Sequence, residues 1–594
     1  MFVVATAGHV DHGKSTLARA LTGMEPDRWE EEKRRGLTID LGFVWTRLPS
    51  GADVAFVDVP GHERFLGNML AGLGPAPVVL FVVAADEGWQ AQSTDHRDAI
   101  AALGISHGLV ALTRADRADV ARRLEVEADV RRQLHGTALA DAPILTVSAK
   151  TGEGIDELRA ALDEILAAAP SPDPEQRMRL WVDRSFSVKG AGTVVTGTLA
   201  AGTLRVGDSL ELLNASGTEP VEVRGLHSEN TAVEAATPVT RVAVNLRGID
   251  AEAISRGDAL LSPGTWRQAE LFDVRRTSGD ALDAIAQDLV AHTGTAGVEA
   301  HVRPLSADFA RIRLSQPLAL ELGDRFVLRG PGARHVLAGV EVVDLNPPQL
   351  RRRGAAARWA EQLAGQQDYK SPALTLQQRG YALIEDLRRD GYTVDAPPAG
   401  VIAFSKWWIT AAQVGQWKQQ LSGAVADHAA ANPLAVGLPR GAARDALGLS
   451  EDALLNLAVA AAKLESVEGA IRVPGAVASL GAAEEGVAKL EQRLHKEPFA
   501  APEAADLKDL RLGSKELAAA ERAGRILRLK DGVVLLPSAV AEARTRLQGI
   551  DQPFSTSQAR QALGTTRRVA IPLLEYLDEK GVTRRLDGAR RELR

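Results

Sequence analysis

The chain has 594 residues, of which 45% are hydrophobic, and its formal net charge is -7. This length predicts roughly three to six domains, because one hydrophobic core rarely serves more than about 300 residues. Cysteine is absent, which excludes disulfides, thiolate metal sites and cysteine nucleophiles. The N-terminus carries no basic leader, and the longest apolar run near it, residues 77–85, is too short to cross a bilayer. We therefore expect a cytoplasmic protein with no signal peptide and no membrane partner.

The first 170 residues alternate short apolar runs with helical patterns. The runs fall at residues 2–5, 54–57, 78–84, 109–112 and 144–147. Such alternation is typical of an α/β domain. We therefore predict an open parallel sheet that is covered by helices on both faces.

The stretch GHVDHGKS, residues 8–15, joins the first predicted strand to a predicted helix and matches the phosphate-loop pattern G-x-x-x-x-G-K-[ST]. Its glycines let successive backbone N–H groups point at phosphate oxygens, and the helix turns its positive end toward the same anion. A chance glycine turn is the alternative, and the flanking strand and helix argue against it. The predicted nucleotide contacts in this loop are Asp11, His12, Gly13, Lys14, Ser15 and Thr16.

Two segments after the loop are placed to respond to the terminal phosphate and to Mg²⁺. In DVPGHE, which follows a buried strand, Asp58 can hold Mg²⁺ through water and the Gly61 N–H can contact the γ-phosphate. In RRGLTIDLG, Thr38 can close on Mg²⁺ only when a γ-phosphate is present. The predicted magnesium ligands are therefore Ser15, Thr38 and Asp58.

Two later motifs predict a site for the base. TRAD, residues 113–116, follows the next strand, and Asp116 can accept from the N1 and N2 donors of guanine. SAK, residues 148–150, follows the last predicted strand, and its backbone can contact the guanine oxygen. The predicted contacts to the base are Thr113, Arg114, Asp116, Ser148, Ala149 and Lys150.

These motifs, in this order, resemble those of the translational GTPases of the elongation factor Tu family. The resemblance implies that His62, in DVPGHE, orients the attacking water, while a structural loop histidine is the alternative. The family's base motif is N-K-x-D, whereas Thr113 and Arg114 replace the Asn and the Lys here. Arg114 can still lie flat on the base through its planar guanidinium, and Asp116 remains. We therefore still expect GTP, with Mg²⁺ as its metal.

After a proline-rich linker at residues 169–176, the chain becomes a series of short Val- and Thr-rich runs separated by Gly and Asp. This composition predicts one antiparallel β-barrel at residues 175–262 and a second at residues 263–348. GAGTVVTGTL, residues 190–199, resembles the second-domain signature of the elongation factor Tu family.

The remaining chain is Ala-rich and helical, with a loose internal repeat. Three segments begin with an X-Pro-apolar sequence, at Pro433, Pro498 and Pro553, and each continues with a short helix, a longer amphipathic helix and a hairpin. This layout predicts α+β winged helices, and a diverged first copy contains Trp407 and Trp408. We place the four copies at residues 355–425, 426–480, 481–540 and 541–594.

A GTPase domain at residues 1–170, two barrels and a winged-helix tail together resemble the bacterial selenocysteine-specific elongation factor family, SelB. The resemblance implies a GTPase that delivers selenocysteyl-tRNA to the ribosome at UGA codons. It also implies that the tail binds a messenger RNA hairpin beside the codon. We expect a monomer.

The resemblance also assigns an aminoacyl pocket to the first barrel. Asp183 and Arg184, in WVDRSF, match the pocket positions of the family, and Arg241, in VTRVAVNL, matches the basic residue opposite them. A selenol is more acidic than a thiol, so a fixed positive charge suits the esterified residue, and an Arg oriented by Asp183 can supply it. Ordinary arginines on the barrel surface are the alternative.

The last copy is the most basic part of the tail. Residues 555–594 contain nine Lys and Arg residues and five Asp and Glu residues, in a chain that is negative overall. Such a local field suits a phosphate backbone, and RNA hairpins are read largely by shape. A solvated basic terminus or a protein-binding module is the alternative. The predicted RNA contacts are Arg567, Arg568, Arg584, Arg585, Arg590 and Arg591.

Two other functions remain open at this point. One is a general carrier of aminoacyl-tRNA or initiator tRNA with an accessory tail. The other is a GTP-regulated adaptor that binds nucleic acid or protein through its winged helices and carries no tRNA. Sulfate-activating enzymes share a similar core, but the winged tail and the two pocket arginines argue against them.

Overall fold

A computed structural model of the chain describes residues 2–26, 38–169, 172–190, 192–332, 335–475, 480–586 and 590–594. The chain divides into two compact units. The first comprises residues 1–399 and 403–408, and the second comprises residues 400–402 and 409–594. The predicted fold class is confirmed, with an α/β domain, two β-barrels and a winged-helix tail.

The first domain is built around a six-stranded sheet in the order β2-β3-β1-β4-β5-β6. Its strands are β1 (Phe2–Ala7), β2 (Gly42–Arg47), β3 (Asp53–Asp58), β4 (Val78–Ala84), β5 (His107–Thr113) and β6 (Ile144–Thr146). Its helices are Lys14–Thr22, Leu66–Leu73, Ala91–Leu103, Val120–Leu134 and Ile155–Ala168. In β1, Val3 and Ala5 join one apolar cluster and Val4 joins another, because successive side chains of a strand point to opposite faces. Both faces are therefore covered, as the sequence predicted.

The edge strand β2 corrects the prediction of a parallel sheet. β2 pairs antiparallel with β3, and the two are joined by a short turn in which the Leu48 N–H donates to the Ala52 carbonyl. Strands joined by so short a turn have to run antiparallel, because a parallel pair needs a long crossover. No strand was predicted for residues 42–47.

The two barrels follow directly in the chain. The first contains β7 (Arg179–Val188), β8 (Gly192–Leu199), β9 (Leu204–Arg205), β10 (Ser209–Asn214), β11 (Gly217–Ser228), β12 (Thr231–Val233), β13 (Ala235–Ala236), β14 (Thr240–Arg247) and β15 (Ala259–Leu261). Six of these strands form a ring in the order β10-β15-β7-β8-β14-β11, which the pairing of β10 with β11 closes. The second is a closed barrel of β16 (Arg267–Gly279), β17 (Asp288–Thr293), β18 (Ala296–Pro304), β19 (Phe309–Leu320), β20 (Arg325–Arg329) and β21 (Ala338–Asp344).

Within the first unit, both barrels contact the α/β domain or the helices that follow. Helix Ala91–Leu103 packs on β16, β20 and β21 of the second barrel. On the same barrel, Asp273 is fully buried and accepts from the Arg311 guanidinium at 2.7 and 2.9 Å. Trp359 Nε1, on helix Ala355–Ala364, donates to the same carboxylate at 2.6 Å and fastens that helix to the barrel.

The first winged-helix copy lies at the division between the two units. Its helices are Ala373–Arg379 and Ile384–Asp390, and its strands are Tyr381–Leu383, Val401–Phe404 and Trp407–Thr410.

The second unit contains the other three copies, and each begins one helix earlier than its proline. The leading helices are Ala411–Ala431, Glu484–Lys496 and Ala539–Gln548. They are followed by the helix pairs Arg440–Leu447 with Asp452–Ala461, Ala504–Asp509 with Ser514–Arg522, and Thr556–Leu563 with Arg567–Glu579. The short strands are Leu438–Pro439, Glu465–Val467, Ala470–Arg472, Leu527–Arg528, Val534–Leu535, Phe554–Ser555, Thr583–Arg585 and Arg590–Leu593.

Two of the boundaries that we placed from sequence therefore fall inside helices. Helix Ala411–Ala431 continues across the boundary at residues 425/426, and it packs on both later helices of the second copy. Helix Ala539–Gln548 continues across the boundary at residues 540/541. The prolines mark the connection after the first helix of each copy, which is why alignment on them displaced the boundaries.

None of the helices in the described ranges combines the length and apolar character that a bilayer crossing requires.

Candidate functional site

A cavity of about 570 Å³ opens at the carboxyl ends of β1, β3 and β5. Its volume lies within the range of roughly 300–1,000 Å³ that is usual for ligand pockets. Twelve of the residues predicted to contact nucleotide or metal line it: Asp11, Gly13, Lys14, Ser15, Thr16, Thr38, Gly61, Thr113, Arg114, Asp116, Ala149 and Lys150. His12, Asp58, His62 and Ser148 are placed around this cavity but do not line it.

The phosphate loop has the backbone shape that an anion cradle needs. Gly8 and Gly13 adopt φ values of 129° and 87°, and a side chain at Gly8 would overlap the Val82 carbonyl oxygen. Lys14 begins the following helix, and its buried Nζ donates to the carbonyls of Gly8 and His9 at 3.0 and 2.8 Å. The loop therefore presents a helix N-terminus and an ammonium group to one point of the cavity.

The magnesium end of the cavity brings two predicted ligands together. Ser15 Oγ and Thr38 Oγ1 lie 3.0 Å apart, which is about the separation of two adjacent ligands at about 2.1 Å on an octahedral Mg²⁺. Asp58 is fully buried, and its Oδ1 accepts from Thr6 Oγ1 at 2.8 Å. A Cβ at Gly61 would overlap Lys14 Nζ, so only glycine allows DVPG to approach the loop this closely. These residues fit Mg²⁺ and a terminal phosphate.

At the base end, the altered motif remains tied to the phosphate loop. Thr113 Oγ1 donates to the His12 carbonyl at 2.6 Å, and the Arg114 guanidinium donates to the Asp11 carbonyl and to Glu87. The stacking of Arg114 on the base stays a prediction, and in this structure its guanidinium is bonded to the phosphate loop and to Glu87.

Asp116 is held by its neighbour across the base end of the cavity. Ser148 Oγ donates to Asp116 Oδ1 at 2.7 Å, and this hydrogen bond lowers the pKa of the carboxyl from its usual value. This hydrogen bond fixes the direction of the Asp116 carboxylate at this end of the cavity.

Helix Ala91–Leu103 supports the loop from behind, through two residues that the sequence analysis did not select. The Gly8 N–H donates to His96 Nδ1 and the Val10 N–H donates to Gln92 Oε1, each at 3.1 Å. His96 is buried, and burial, together with the charge of Lys14, lowers its pKa well below the usual value. Gln92 and His96 are four residues apart, so the sequence alone places them on one face of the helix. The sequence does not show that this face contacts the phosphate loop.

Two predicted histidines are placed differently from expectation. The His12 ring is buried against the His9 ring at 5.0 Å instead of lining the cavity, and burial lowers its pKa to about 3. His62 Nδ1 accepts from the Arg64 N–H at 3.2 Å, and its ring lies 6.0 Å from that of Phe65. His62 is thus next to Gly61 in sequence but outside the lining of the nucleotide cavity.

A second candidate site lies where the first barrel meets the α/β domain. Arg241 Nη2 donates to both oxygens of Asp183, at 2.9 and 3.0 Å, and to Thr196, which in turn donates to Asp183. The Arg241 guanidinium lies 3.4 Å from the centroid of the Phe43 ring on β2. A cavity of about 90 Å³ borders Arg241, Phe43 and the hairpin residues Glu229 and Asn230. Asp183 therefore orients Arg241.

Arg184 is held by the α/β domain and not by Asp183. Its Nη2 donates to Asp40 Oδ2 at 3.1 Å and to the Leu41 carbonyl at 2.5 Å, and its guanidinium lies 5.2 Å from the Phe43 ring. Asp40 Oδ1 also accepts from Arg256 Nη2 at 2.8 Å. Asp40 and Arg256 are 216 residues apart in the chain, and no sequence signal marked either of them.

The six predicted RNA contacts of the last winged helix separate into two groups. Five of them, Arg567, Arg568, Arg584, Arg585 and Arg590, are exposed, although Arg584 pairs with Glu592 at 2.5 Å. Arg568 donates to the carbonyls of Ala501 and Pro502 in the preceding copy, at 2.9 and 3.1 Å.

Arg591 corrects the prediction, because it is only 6% exposed. Its guanidinium donates to Asp578 at 2.8 Å and to Thr556 at 3.2 Å, so it holds the wing to the helices and is not available to RNA.

The phosphate loop, the magnesium and base motifs and the two barrels define a translational GTPase. Four family models match the chain: the elongation factor Tu GTP binding domain at residues 1–168, elongation factor Tu domain 2 at 192–261, the beta-barrel domain of selenocysteine-specific elongation factors at 274–349, and the SelB winged helix at 545–591.

Full-length relatives make the assignment specific. The chain is 34% identical to the selenocysteine-specific elongation factor of Escherichia coli K12 over 98% of its length and 97% of the relative, and 30% identical to that of Desulfomicrobium baculatum over 100% and 99%. The chain belongs to the family of selenocysteine-specific elongation factors.

Solved structures agree with this assignment. A crystal structure of a bacterial selenocysteine-specific elongation factor superposes with a TM-score of 0.78 at 26% identity, covering 100% of this chain and 99% of the other. SelB from Methanococcus maripaludis, in complex with the GTP analogue GppNHp, superposes with a TM-score of 0.51 at 25% identity over 58% and 79%. The protein is therefore a GTP-hydrolysing elongation factor that uses GTP and Mg²⁺.

Proposed function

We propose that the arginine cluster between the first barrel and the GTPase domain selects the selenocysteyl group of the tRNA that this factor delivers to the ribosome. The observation that carries the proposal is the pairing of Arg241 with buried Asp183, beside Arg184 and a small cavity. Arginine stays charged at every physiological pH, and a carboxylate partner fixes its direction. A selenolate gains from such a cation, whereas the hydroxyl of serine does not carry a charge to pair with it.

The nucleotide residues divide the work of hydrolysis by position. A bound Mg²⁺ would supply positive charge to offset the negative charge that develops on the terminal phosphates. Ser15, Thr38 and Asp58 would hold the metal, and Lys14 and the Gly61 N–H would stabilise the γ-phosphate. We assign to His62 the orientation of the attacking water. Because His62 lies outside the cavity lining, it has to move inward when the ribosome engages the factor.

The exposed arginines of the last winged helix would hold the messenger RNA hairpin. Arg567 opens the helix Arg567–Glu579, and Arg585 and Arg590 lie on the two strands of the wing. A factor tethered beside the codon reaches it at a higher effective concentration without a new contact at the codon itself. We propose that the factor acts as a monomer.

Protection of the aminoacyl ester tests the pocket. The same tRNA is esterified with selenocysteine in one sample and with serine in the other, and hydrolysis is followed with GTP bound. We expect strong protection of the selenocysteyl ester alone, and its loss in Arg184→Ala and Arg241→Ala. Arg247→Ala is the matched control, because Arg247 lies on the same strand as Arg241 and forms an exposed pair with Glu222.

The other outcomes separate the alternatives. Equal protection of both esters would leave a general tRNA carrier and would remove the selenium-specific role of the arginines. Protection of neither ester would favour the GTP-regulated adaptor that binds nucleic acid or protein and carries no tRNA.

A further inference from the structure

The two pocket arginines are positioned by carboxylates from different domains. Asp183, which orients Arg241, belongs to the same barrel and is carried on β7. Asp40, which binds Arg184, belongs to the GTPase domain and precedes β2. The orientation of Arg241 is therefore internal to the barrel, whereas that of Arg184 depends on how the GTPase domain is arranged.

Asp40 is close in sequence to the residue that responds to nucleotide. It lies two residues after Thr38, whose hydroxyl is 3.0 Å from Ser15 in the cavity. Two residues of extended chain span at most about 7 Å, so a displacement of Thr38 has to be absorbed within that span or passed to Asp40. The carboxylate is thus tied to the magnesium end of the nucleotide cavity.

A second arginine of the barrel fixes Asp40 from the other side. Arg256 Nη2 donates to Asp40 Oδ1, while its Nη1 donates to Asn68 Oδ1 at 2.7 Å and its Nε to the Asp183 carbonyl at 3.0 Å. With Arg256 on one oxygen and Arg184 on the other, the carboxylate has a fixed plane.

The Arg184 guanidinium is only partly used by these contacts. Both of its hydrogen bonds in the described residues, to Asp40 and to Leu41, come from Nη2. Its side chain is 22% exposed, and its guanidinium lies beside Phe43, which the Arg241 guanidinium also contacts. One end of the guanidinium is therefore anchored, and the donors at Nε and Nη1 remain for a bound anion.

We propose that Asp40 is a positioning residue of the aminoacyl pocket, which holds Arg184 in its anion-binding orientation when Thr38 is closed toward Ser15 and releases it when Thr38 moves away. Arg256, which belongs to the barrel, binds the other oxygen of the Asp40 carboxylate and takes part in the same positioning. The inference rests on the proposed function of Arg184. Through the contact between Asp40 and Arg184, the state of the nucleotide site determines how well the pocket accepts a selenolate.

Affinities of four complexes test the proposal. The dissociation constant is measured for one tRNA, esterified with selenocysteine or with serine, in the presence of GTP or GDP. In Asp40→Asn we expect the affinity for the selenocysteyl form with GTP to fall at least tenfold. We expect the affinity for the seryl form with GTP to stay unchanged. Asp40→Glu keeps the carboxylate that positions Arg184, so it should restore part of the selectivity. A merely structural contact would not require that carboxylate.

Asp53→Asn is the matched control, since Asp53 pairs with Arg47 at the exposed end of the adjoining hairpin. A second variant, Arg256→Gln, should cause a smaller loss in the same direction, and it keeps the proposal testable if Asp40→Asn does not fold.

Three outcomes would overturn the proposal. An equal loss for the two aminoacyl forms would show that Asp40 only docks the domains. A gain for the selenocysteyl form would show that the carboxylate competes with the selenolate. Unchanged affinities would show that Arg184 needs no positioning. If the wild-type factor itself binds both forms equally, it is the proposed function that fails; if the wild type discriminates and Asp40→Asn does too, only the role of Asp40 fails.

Discussion

The nucleotide site and the last winged helix contrast in how their predicted residues are used. In the nucleotide site, twelve predicted residues line one cavity, although they come from five separate segments of the chain. In the last winged helix, Arg591 is buried and Arg568 is bonded to the preceding copy. A motif with fixed spacing encodes backbone geometry, whereas a count of charges does not distinguish arginines that bind a partner from arginines that hold the fold together.

Loss of the ion pair between Arg591 and Asp578 should have the largest effect on stability among the tests of this contrast. Arg591→Ala leaves the Asp578 carboxylate without its charged partner, and loss of one member of a largely buried pair costs about 3–5 kcal/mol. We expect this destabilisation in the free energy of opening of residues 554–586, measured by hydrogen exchange on the full chain. Arg567→Ala, at an exposed position that begins helix Arg567–Glu579, should shift it by less than about 0.5 kcal/mol. Similar small effects for both variants would place Arg591 with the exposed group.

Lys14 provides the corresponding test in the nucleotide site. Its ammonium is 6% exposed and faces the phosphate end of the cavity. We expect Lys14→Ala to weaken GTP binding by about 3 kcal/mol, roughly a hundredfold in Kd, because a charge-assisted contact is lost. Unlike Arg591→Ala, it should leave the unfolding of the last winged helix unchanged. Arg47→Ala, at an exposed pair outside the cavity, serves as control, and an equal effect of both variants on GTP affinity would contradict this assignment.

Acid should destabilise the part of the fold that surrounds the phosphate loop. Burial, followed by the charges of His9 and Lys14, lowers the pKa of His12 to about 3, against about 6.5 in an unfolded chain. Its contribution to stability is therefore complete above pH 6.5 and is lost as the pH falls toward 3. At pH 5 the loss is about 2 kcal/mol.

Hydrogen exchange of residues 2–26, corrected for the intrinsic rate, should report this loss. His12→Gln should reduce the dependence without abolishing it, because the pKa of buried His96 beside the same loop is also lowered. His135→Gln, at an exposed position, should leave the dependence unchanged. An unchanged pH dependence in His12→Gln would assign the effect to another group.

The parts of the structure that sequence could predict are those specified locally. β4 was predicted over its exact bounds, because seven consecutive buried apolar residues leave few alternatives. The edge strand β2 was missed, since its single tryptophan and two polar residues give no clear period. The loop carrying Lys14 and Ser15 follows a known spacing, so its geometry was implied. The contacts of Asp40 with Arg184 and Arg256 join residues that are far apart in the chain, and only the packing of the barrel on the GTPase domain brings them together.

Replacing an exposed arginine should have the smallest effect, and it tests most directly whether the basic surface binds RNA. Arg567 begins helix Arg567–Glu579 and is exposed, so a phosphate contact there should contribute about 1 kcal/mol or less to RNA affinity and be weakened by salt. In Arg567→Ala, the slope of log K against log salt for the messenger hairpin should fall by about 1. Lys515→Ala, at the corresponding start of helix Ser514–Arg522 in the preceding copy, is the matched control and should leave the slope unchanged. If both variants change the slope equally, the RNA surface extends over two copies, and the division between a binding copy and its supporting neighbours is wrong.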